Sequence, residues 1–241
     1  MRISVVVPAF NEEALLPAAL GSIRAAIGAF DARGWESELV VCDNNSTDRT
    51  GELARDGGAK VVFEPINQIA RARNTGAEHA RGDWLVFVDA DSRPSRELFE
   101  DAAAAIAGGR CMAGGSTVRL DTDRRVARFF AGVWNALSRI CRWGAGSFVF
   151  CEAAAFHAIG GFSHSLYAGE EIDLFGRLKR LARDTARTIV ILHRHPLATS
   201  DRKVRLYSFR EHLAFVSKMV FSAGRVLRDR DACFPWYDGR R

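Results

Sequence analysis

The chain has 241 residues, 48% hydrophobic and 26% charged, values that suit one compact folded domain and exclude disordered, collagen-like and disulfide-scaffold classes. Its formal net charge of +5 arises after residue 200: 24 basic and 24 acidic side chains precede that point, and ten Lys or Arg stand against five Asp or Glu in 201–241. That pattern is a local basic surface, not a nucleic-acid-binding stripe, and five cysteines without CxxC spacing indicate neither a disulfide framework nor a zinc site.

Residues 3–7 form a β-branched run ended by Pro8, and Leu16, Leu20, Ile23, Ile27 and Phe30 then follow at helical spacing. A second strand is predicted over 39–42, a helix capped by Ser46 and stopped by Gly57 and Gly58, and a third strand over 61–63. A helix over 69–81, an apolar strand over 84–88, and an alanine-rich helix from Ser95 to about residue 107 continue the alternation. Strands separated by helices of this length pair in parallel, because a tight hairpin cannot return the chain in the same direction. Beyond that point the pattern is irregular, with Gly-rich strands near 111–119 and 147–150. The expected organisation is a main domain over 1–200, nucleotide-binding to about 108 and acceptor-side from 109 to 200. A basic helical extension follows over 201–241, where Phe209, Leu213, Val216 and Val220 lie at helical spacing among Arg205, Arg210 and Lys218. That helix is read as docked on the domain, with a peripheral membrane contact as the sharper option. The N-terminus enters a strand directly and no apolar run reaches spanning length, so a cytoplasmic location is expected.

Ligands of open parallel sheets bind beyond the carboxyl ends of the strands. The polar residues of this sequence gather at those ends: Asn11 and Glu12 after the first strand, Asp43 to Asp48 after the second, Asp89 and Asp91 after the fourth. Side chains two apart on extended backbone point the same way, so Asp89 and Asp91 project together and repel. A divalent cation relieves that repulsion and can complete its shell with diphosphate oxygens. No GxGxxG follows the first strand and no GxxxxGK[ST] occurs, so phosphates must be neutralised by other means: a metal on Asp91, helped by Arg71 or Arg73. Asp43 is placed to accept hydrogen bonds from a base or ribose, with Ser46 and Asp48 as the helix-entry residues. Glu170, Glu171 and Asp173 open a helix after Gly169, more acids than a cap requires, and one of them is a candidate general base. His193 or His195 is a candidate third metal ligand beside Asp91.

These motifs together resemble a family 2 glycosyltransferase of the GT-A fold, over about residues 3–202. VVVPAFNEE resembles the family's opening strand and nucleotide-contacting turn, placing Pro8, Ala9, Asn11 and Glu12 against the donor. VVCDNNSTD, ARARNTG and VFVDADS resemble the second strand end, the basic helix and the metal-binding Asp-x-Asp. GEEIDLFGRL resembles the Gly-Glu-Asp-x-Asp-Leu segment, and TSDRK a downstream Thr-Ser-x-Arg-Arg stretch. The resemblance implies an α/β fold with a Rossmann-like, mostly parallel open sheet flanked by helices. It also implies an inverting transfer from a nucleoside diphosphate sugar to an acceptor hydroxyl, saccharide or lipid-linked, aided by Mn2+ or Mg2+. By it Asp43 contacts the base, Asp89 the ribose or metal, and Asp91 the metal, while the resemblance adds nothing to the reading of His193. The family's usual base is the Asp of Glu-Asp; here Glu171 stands there, one methylene longer, so Glu171 is favoured and Asp173 is the alternative. A sugar-nucleotide nucleotidyltransferase and a silent nucleotide-sugar-binding protein are the rival expectations.

Overall fold

The computed structural model describes residues 1–122, 124–200 and 225–233. The expected helix around 209–220, and the end of the TSDRK stretch from Asp201 on, lie outside the described residues.

Eight strands form one sheet: β1 (Arg2–Ala9), β2 (Glu36–Asp43), β3 (Lys60–Phe63), β4 (Trp84–Val88), β5 (Ser92–Arg93), β6 (Cys111–Leu120), β7 (Phe148–Glu152) and β8 (Thr188–Thr199). Their order is β3-β2-β1-β4-β7-β6-β8-β5. Strands β1 to β4 are mutually parallel where they pair, and β7 runs antiparallel between β4 and β6. The stretches before and after residue 108 therefore share a single sheet. Side chains alternate across it with the period of two that a pleated strand imposes. Val5, Val7, Val86 and Val88 enter one core with α1 (Leu16–Asp31) and α4 (Arg96–Ala107). Val6, Leu85, Phe87 and Val149 enter the other, with α3 (Ile69–Glu78), α6 (Ala153–Ala158) and α7 (Glu170–Asp184). The result is a sheet covered by helices on both faces, as the alternation of strand and helix predicts.

Only three residues separate the end of β4 from the start of β5, four Cα steps with a reach of at most ~14 Å. In a flat sheet of this order the two strands would lie four spacings apart, ~19 Å. The sheet is therefore curled, and the curl brings the end of β8 round to the segment after β4: Ser92 is paired with Thr199.

Helix α3 lies close on the sheet because residue 76 is glycine: a Cβ there would fall inside van der Waals contact with Val6 Cγ1, and next to Cys42 Cβ at 3.6 Å. Gly76→Ala is expected to destabilise the fold by about 1–3 kcal/mol through overpacking, seen as a lower chemical-denaturation midpoint at unchanged slope.

Two expectations are corrected. Ser46 does not cap the second helix, which runs over α2 (Thr50–Asp56) with Arg49 at its N-cap. The stretch after β6 is not irregular: it contains the 17-residue α5 (Arg125–Cys141). Its apolar positions recur at helical spacing, but they do not face the core.

Candidate active site

The rim forms where parallel strands end level. Ala9 is paired with Asp43 and Asp43 with Phe63, so the first three strands deliver their following loops to one edge. Those loops are stitched to one another. Asn11 takes a left-handed conformation (φ 50), its N–H donates to Ser46 Oγ at 3.0 Å, and its Oδ1 accepts from the Thr47 N–H at 2.8 Å. The Glu12 N–H donates to Thr50 Oγ1 at 2.7 Å, and the Glu13 N–H to Asp48 Oδ2 at 3.1 Å. Ser46 thus serves the first loop, while Asp48 also accepts from the Thr50 N–H at 2.9 Å and so does the helix-entry work.

Asp43 has a structural duty as well: its Oδ1 accepts from the Ser46 N–H at 2.9 Å, closing the turn after β2. Its Oδ2 lies where a Cβ on Gly51 would come within 2.9 Å, so the glycine leaves that oxygen its space. Pro8 and Ala9 are buried within β1, and the Ala9 carbonyl accepts from the Asn44 N–H at 2.8 Å.

Arg71 and Arg73 are two apart on α3, which places them ~200° apart around the helix, so they cannot share one role. Arg71 is half-buried and its Nε donates to Gln68 Oε1 at 3.1 Å. Arg73 turns inward and is 1% exposed. Its Nη1 donates to Glu170 Oε1 at 2.7 Å, and its Nη2 to Asp89 Oδ1 and to the Gly146 carbonyl, both at 2.9 Å. The guanidinium also lies over the Phe162 ring, 5.0 Å from its centroid. Burial works against the charge, but Asp89 and Glu170 outweigh it and hold the guanidinium well above its usual pKa. The sequence offers Arg73 as an aid to phosphate neutralisation, and the structure sets this guanidinium among protein groups. Its two Nη atoms are held by two protein acids and one backbone carbonyl, and it joins α3, the turn after β4, the residue-146 loop and the start of α7 into one unit.

Glu171 sits at the edge of this unit. A Cβ on Gly146 would meet its Cδ at 3.2 Å and its Oε1 at 3.3 Å, so the carboxyl rests in the space that the missing side chain leaves. It retains partial exposure, unlike Glu170, which is buried. Burial, and then the charge of Glu170, push the Glu171 carboxyl up to about 8, against a smaller downward pull from Arg73. One cation among three carboxylates cannot neutralise them all, and the acid without a direct bond to it keeps its proton longest. Asp173, the alternative base, is paired: its Oδ2 accepts from Arg177 Nε at 2.8 Å, and that arginine also donates to the Ile159 carbonyl at 2.6 Å.

The Asp89-Ala90-Asp91 turn is held from both sides. The Asp89 N–H donates to the Ser147 carbonyl at 3.2 Å, and the Asp91 carbonyl accepts from the Ser200 N–H at 3.3 Å. Asp91 is half-buried at the rim, with Ser92 Oγ 3.4 Å from its Oδ1. Neither histidine completes a ligand set. His193 is exposed on β8, its Nδ1 3.4 Å from the Ile191 carbonyl, and His195 pairs with Asp101 on α4 at 3.0 Å. Among the described residues no three His, Cys, Asp or Glu side chains converge as a metal site. A pair of carboxylates one residue apart still fits a hard divalent cation that arrives with a diphosphate, since Mg2+-type ions commonly take one or two carboxylates plus phosphate oxygens.

Several site residues carried no signal that sequence reasoning used. Gly146 and Phe162 frame Arg73, and Gln68 Nε2 donates to the His164 and Leu166 carbonyls at 2.8 and 2.9 Å. His164 accepts at Nε2 from Asn74 Nδ2 at 2.7 Å, a role for a neutral ring, and burial followed by the charge of Arg71 lowers its pKa accordingly. The Leu227 carbonyl, far along the chain, accepts from the Tyr167 N–H at 2.7 Å and so anchors residues 225–233 beside the approach to α7.

Comparison with known proteins gives one consistent picture. Residues 4–155 match the family model described as glycosyl transferase family 2. The undecaprenyl-phosphate 4-deoxy-4-formamido-L-arabinose transferase of Aeromonas hydrophila is 36% identical over 114 residues, 44% of this chain and 34% of that protein. The chain thus spans about a third of that relative. Among solved structures, Staphylococcus aureus TarS 1-349 in complex with UDP-GlcNAc superposes with a TM-score of 0.61 at 20% identity, covering 98% of this chain and 69% of that one. Mycobacterium tuberculosis glucosyl-3-phosphoglycerate synthase, in complex with Mn2+, UDP and phosphoglyceric acid, gives 0.59 at 21% identity, covering 94% and 78%. At such identities the structural likeness speaks to the fold, which is GT-A.

Proposed function

The chain belongs to glycosyl transferase family 2, and from that membership we propose that it transfers a glycosyl group from a nucleoside diphosphate sugar to an acceptor hydroxyl, with inversion at the anomeric carbon. The observation that carries this reading is the Arg73 unit, which ties the Asp89–Asp91 turn to the acid-rich start of α7 through bonds of 2.7 and 2.9 Å. A single displacement requires a leaving-group site and a base close together, and the link between these two acidic segments supports that reading.

In this reaction Glu171, once ionised, takes the proton of the acceptor hydroxyl. The oxygen bonds to the anomeric carbon as the bond to the diphosphate breaks, and the negative charge departs on the nucleoside diphosphate. Asp91 and the second oxygen of Asp89 would hold a divalent cation, Mn2+ or Mg2+, whose chemistry is to neutralise that charge. Arg71 is the remaining cation of α3 for the diphosphate. Asp43 Oδ2 is the acceptor offered to the base or ribose, beside the backbone of the turn formed by Pro8, Ala9, Asn11 and Glu12. The Aeromonas relative's name gives an undecaprenyl-phosphate, which supports a lipid-linked acceptor as one option for this chain and a place of work at the cytoplasmic face of a membrane. Among the described residues no helix is long and apolar enough to cross one.

A thermal-shift series with uridine, guanosine and thymidine diphosphate sugars, each with and without Mn2+, tests the reading. One nucleotide class is expected to raise the melting temperature only with metal, and Asp91→Ala to remove that shift while leaving the apo melting temperature within about 2 °C of wild type. Equal shifts without metal, or in the variant, contradict it.

A further inference from the structure

Helix α5 is built the wrong way round for a core helix. Six of the nine exposed large hydrophobic side chains among the described residues are on it: Val126, Phe129, Phe130, Val133, Leu137 and Ile140. Exposure reaches 68% at Phe129 and 79% at Ile140. At ~100° per residue these positions fall within an arc of ~100° on one side of the helix. The side turned to the protein carries Ala127 and Ser138, both buried, with Trp134 half-buried beside them. Asn135 fixes the orientation by gripping β6: its Oδ1 accepts from the Val118 N–H at 2.9 Å and its Nδ2 donates to the Val118 carbonyl at 2.8 Å. Rotation of the apolar arc inward would break both bonds.

The charge of this segment has one sign. Residues 124–142 contain Arg124, Arg125, Arg128, Arg139 and Arg142 and no Asp or Glu. We propose that α5 seats the protein on an anionic lipid bilayer, the apolar arc lying in the headgroup boundary and the arginines meeting lipid phosphates. The arc runs ~21 Å along the helix, a length that lies in a membrane surface and does not span it. Charge decides against the other occupants. A second copy would set two arginine-rich helices without Asp or Glu side by side, and residues 201–241 of the same chain are themselves basic, ten against five. The loop leaving α5 carries Gly146, whose carbonyl holds Arg73, so the seat adjoins the site in the chain.

Vesicle flotation of the full chain, without donor or metal, tests this independently of the transferase reading. Vesicles of phosphatidylcholine with phosphatidylglycerol are expected to carry the protein at least ~10-fold better than phosphatidylcholine alone, with added salt weakening the binding. The Phe129→Ser/Phe130→Ser pair and the Arg125→Glu/Arg128→Glu pair are each expected to lose ~10-fold or more in partitioning at an unchanged melting temperature. Ile140→Ser, at the most exposed position, is the substitute if the phenylalanine pair does not fold. Wild-type binding by the variants, or no binding to either vesicle, overturns the proposal. So does sedimentation showing a dimer that the apolar-face variants convert to monomer, since a second copy would then cover the face.

Discussion

Replacing Arg73 with methionine is expected to lower the unfolding free energy by about 3–5 kcal/mol, the range for removing one partner of a buried ion network. Methionine fills much of the same volume, so packing accounts for little of that loss. The cost comes chiefly from Glu170, which loses a donor at 2.7 Å where burial keeps water out, and in part from Asp89, which loses one at 2.9 Å. The loss should therefore shrink on acidification, as the stranded carboxylates take up protons. Adding Asp89→Asn and Glu170→Gln to Arg73→Met should recover most of the stability, because no buried charge then remains. Chemical denaturation at two pH values measures both effects; a loss under about 1 kcal/mol at neutral pH would mean the network is screened like a surface pair.

Glu171→Gln is expected to cut the rate of transfer by ~10²–10⁴, the contribution of a positioned general base, and to leave donor-induced thermal shifts in place. The pH profile follows from the carboxyl's environment. A base must be ionised, and burial together with Glu170 pushes Glu171 up to about 8, so the wild-type rate should rise with pH and level off above that value. Stability should move the other way. The folded protein holds this proton up to about pH 8 while the unfolded chain releases it near 4.5, so folding stability from this group is lost as pH climbs through that window. Glutamine has no proton to release, and the variant should gain on the order of 1–3 kcal/mol over wild type near pH 7 and almost nothing near pH 4. A variant that is slower and yet more stable at neutral pH is the signature of a strained functional acid; unchanged stability across the range would remove Glu171 from the role.

The first hundred residues were legible because their signals are local. Strand β4 begins and ends where its apolar run does, α4 begins after Ser95, whose Oγ accepts from the Leu98 N–H at 3.2 Å, and the acids of 170–173 open α7 as their position predicts. The second half was harder to read. The spacing of Val126, Phe129, Phe130 and Val133 is helical, but periodicity reports only that a helix has an apolar side, and the core is not the only place for one. Asp173 and Glu171 are equally acidic in sequence, and Arg177, four residues on, engages the former. His193 and His195 are equivalent candidates in sequence, and only the fold sets Asp101 beside the latter.

Taken by itself, the amino-acid sequence determined the strand periods, the acids and amides at the strand ends, and the family, because each depends on residues within a few positions of one another. Tertiary structure alone decided which of those residues are free to act. Arg73 meets acids 16 and 97 positions away and the carbonyl of a loop 73 away, and whether a charge is spent inside the protein or offered to a ligand depends on such distances in space.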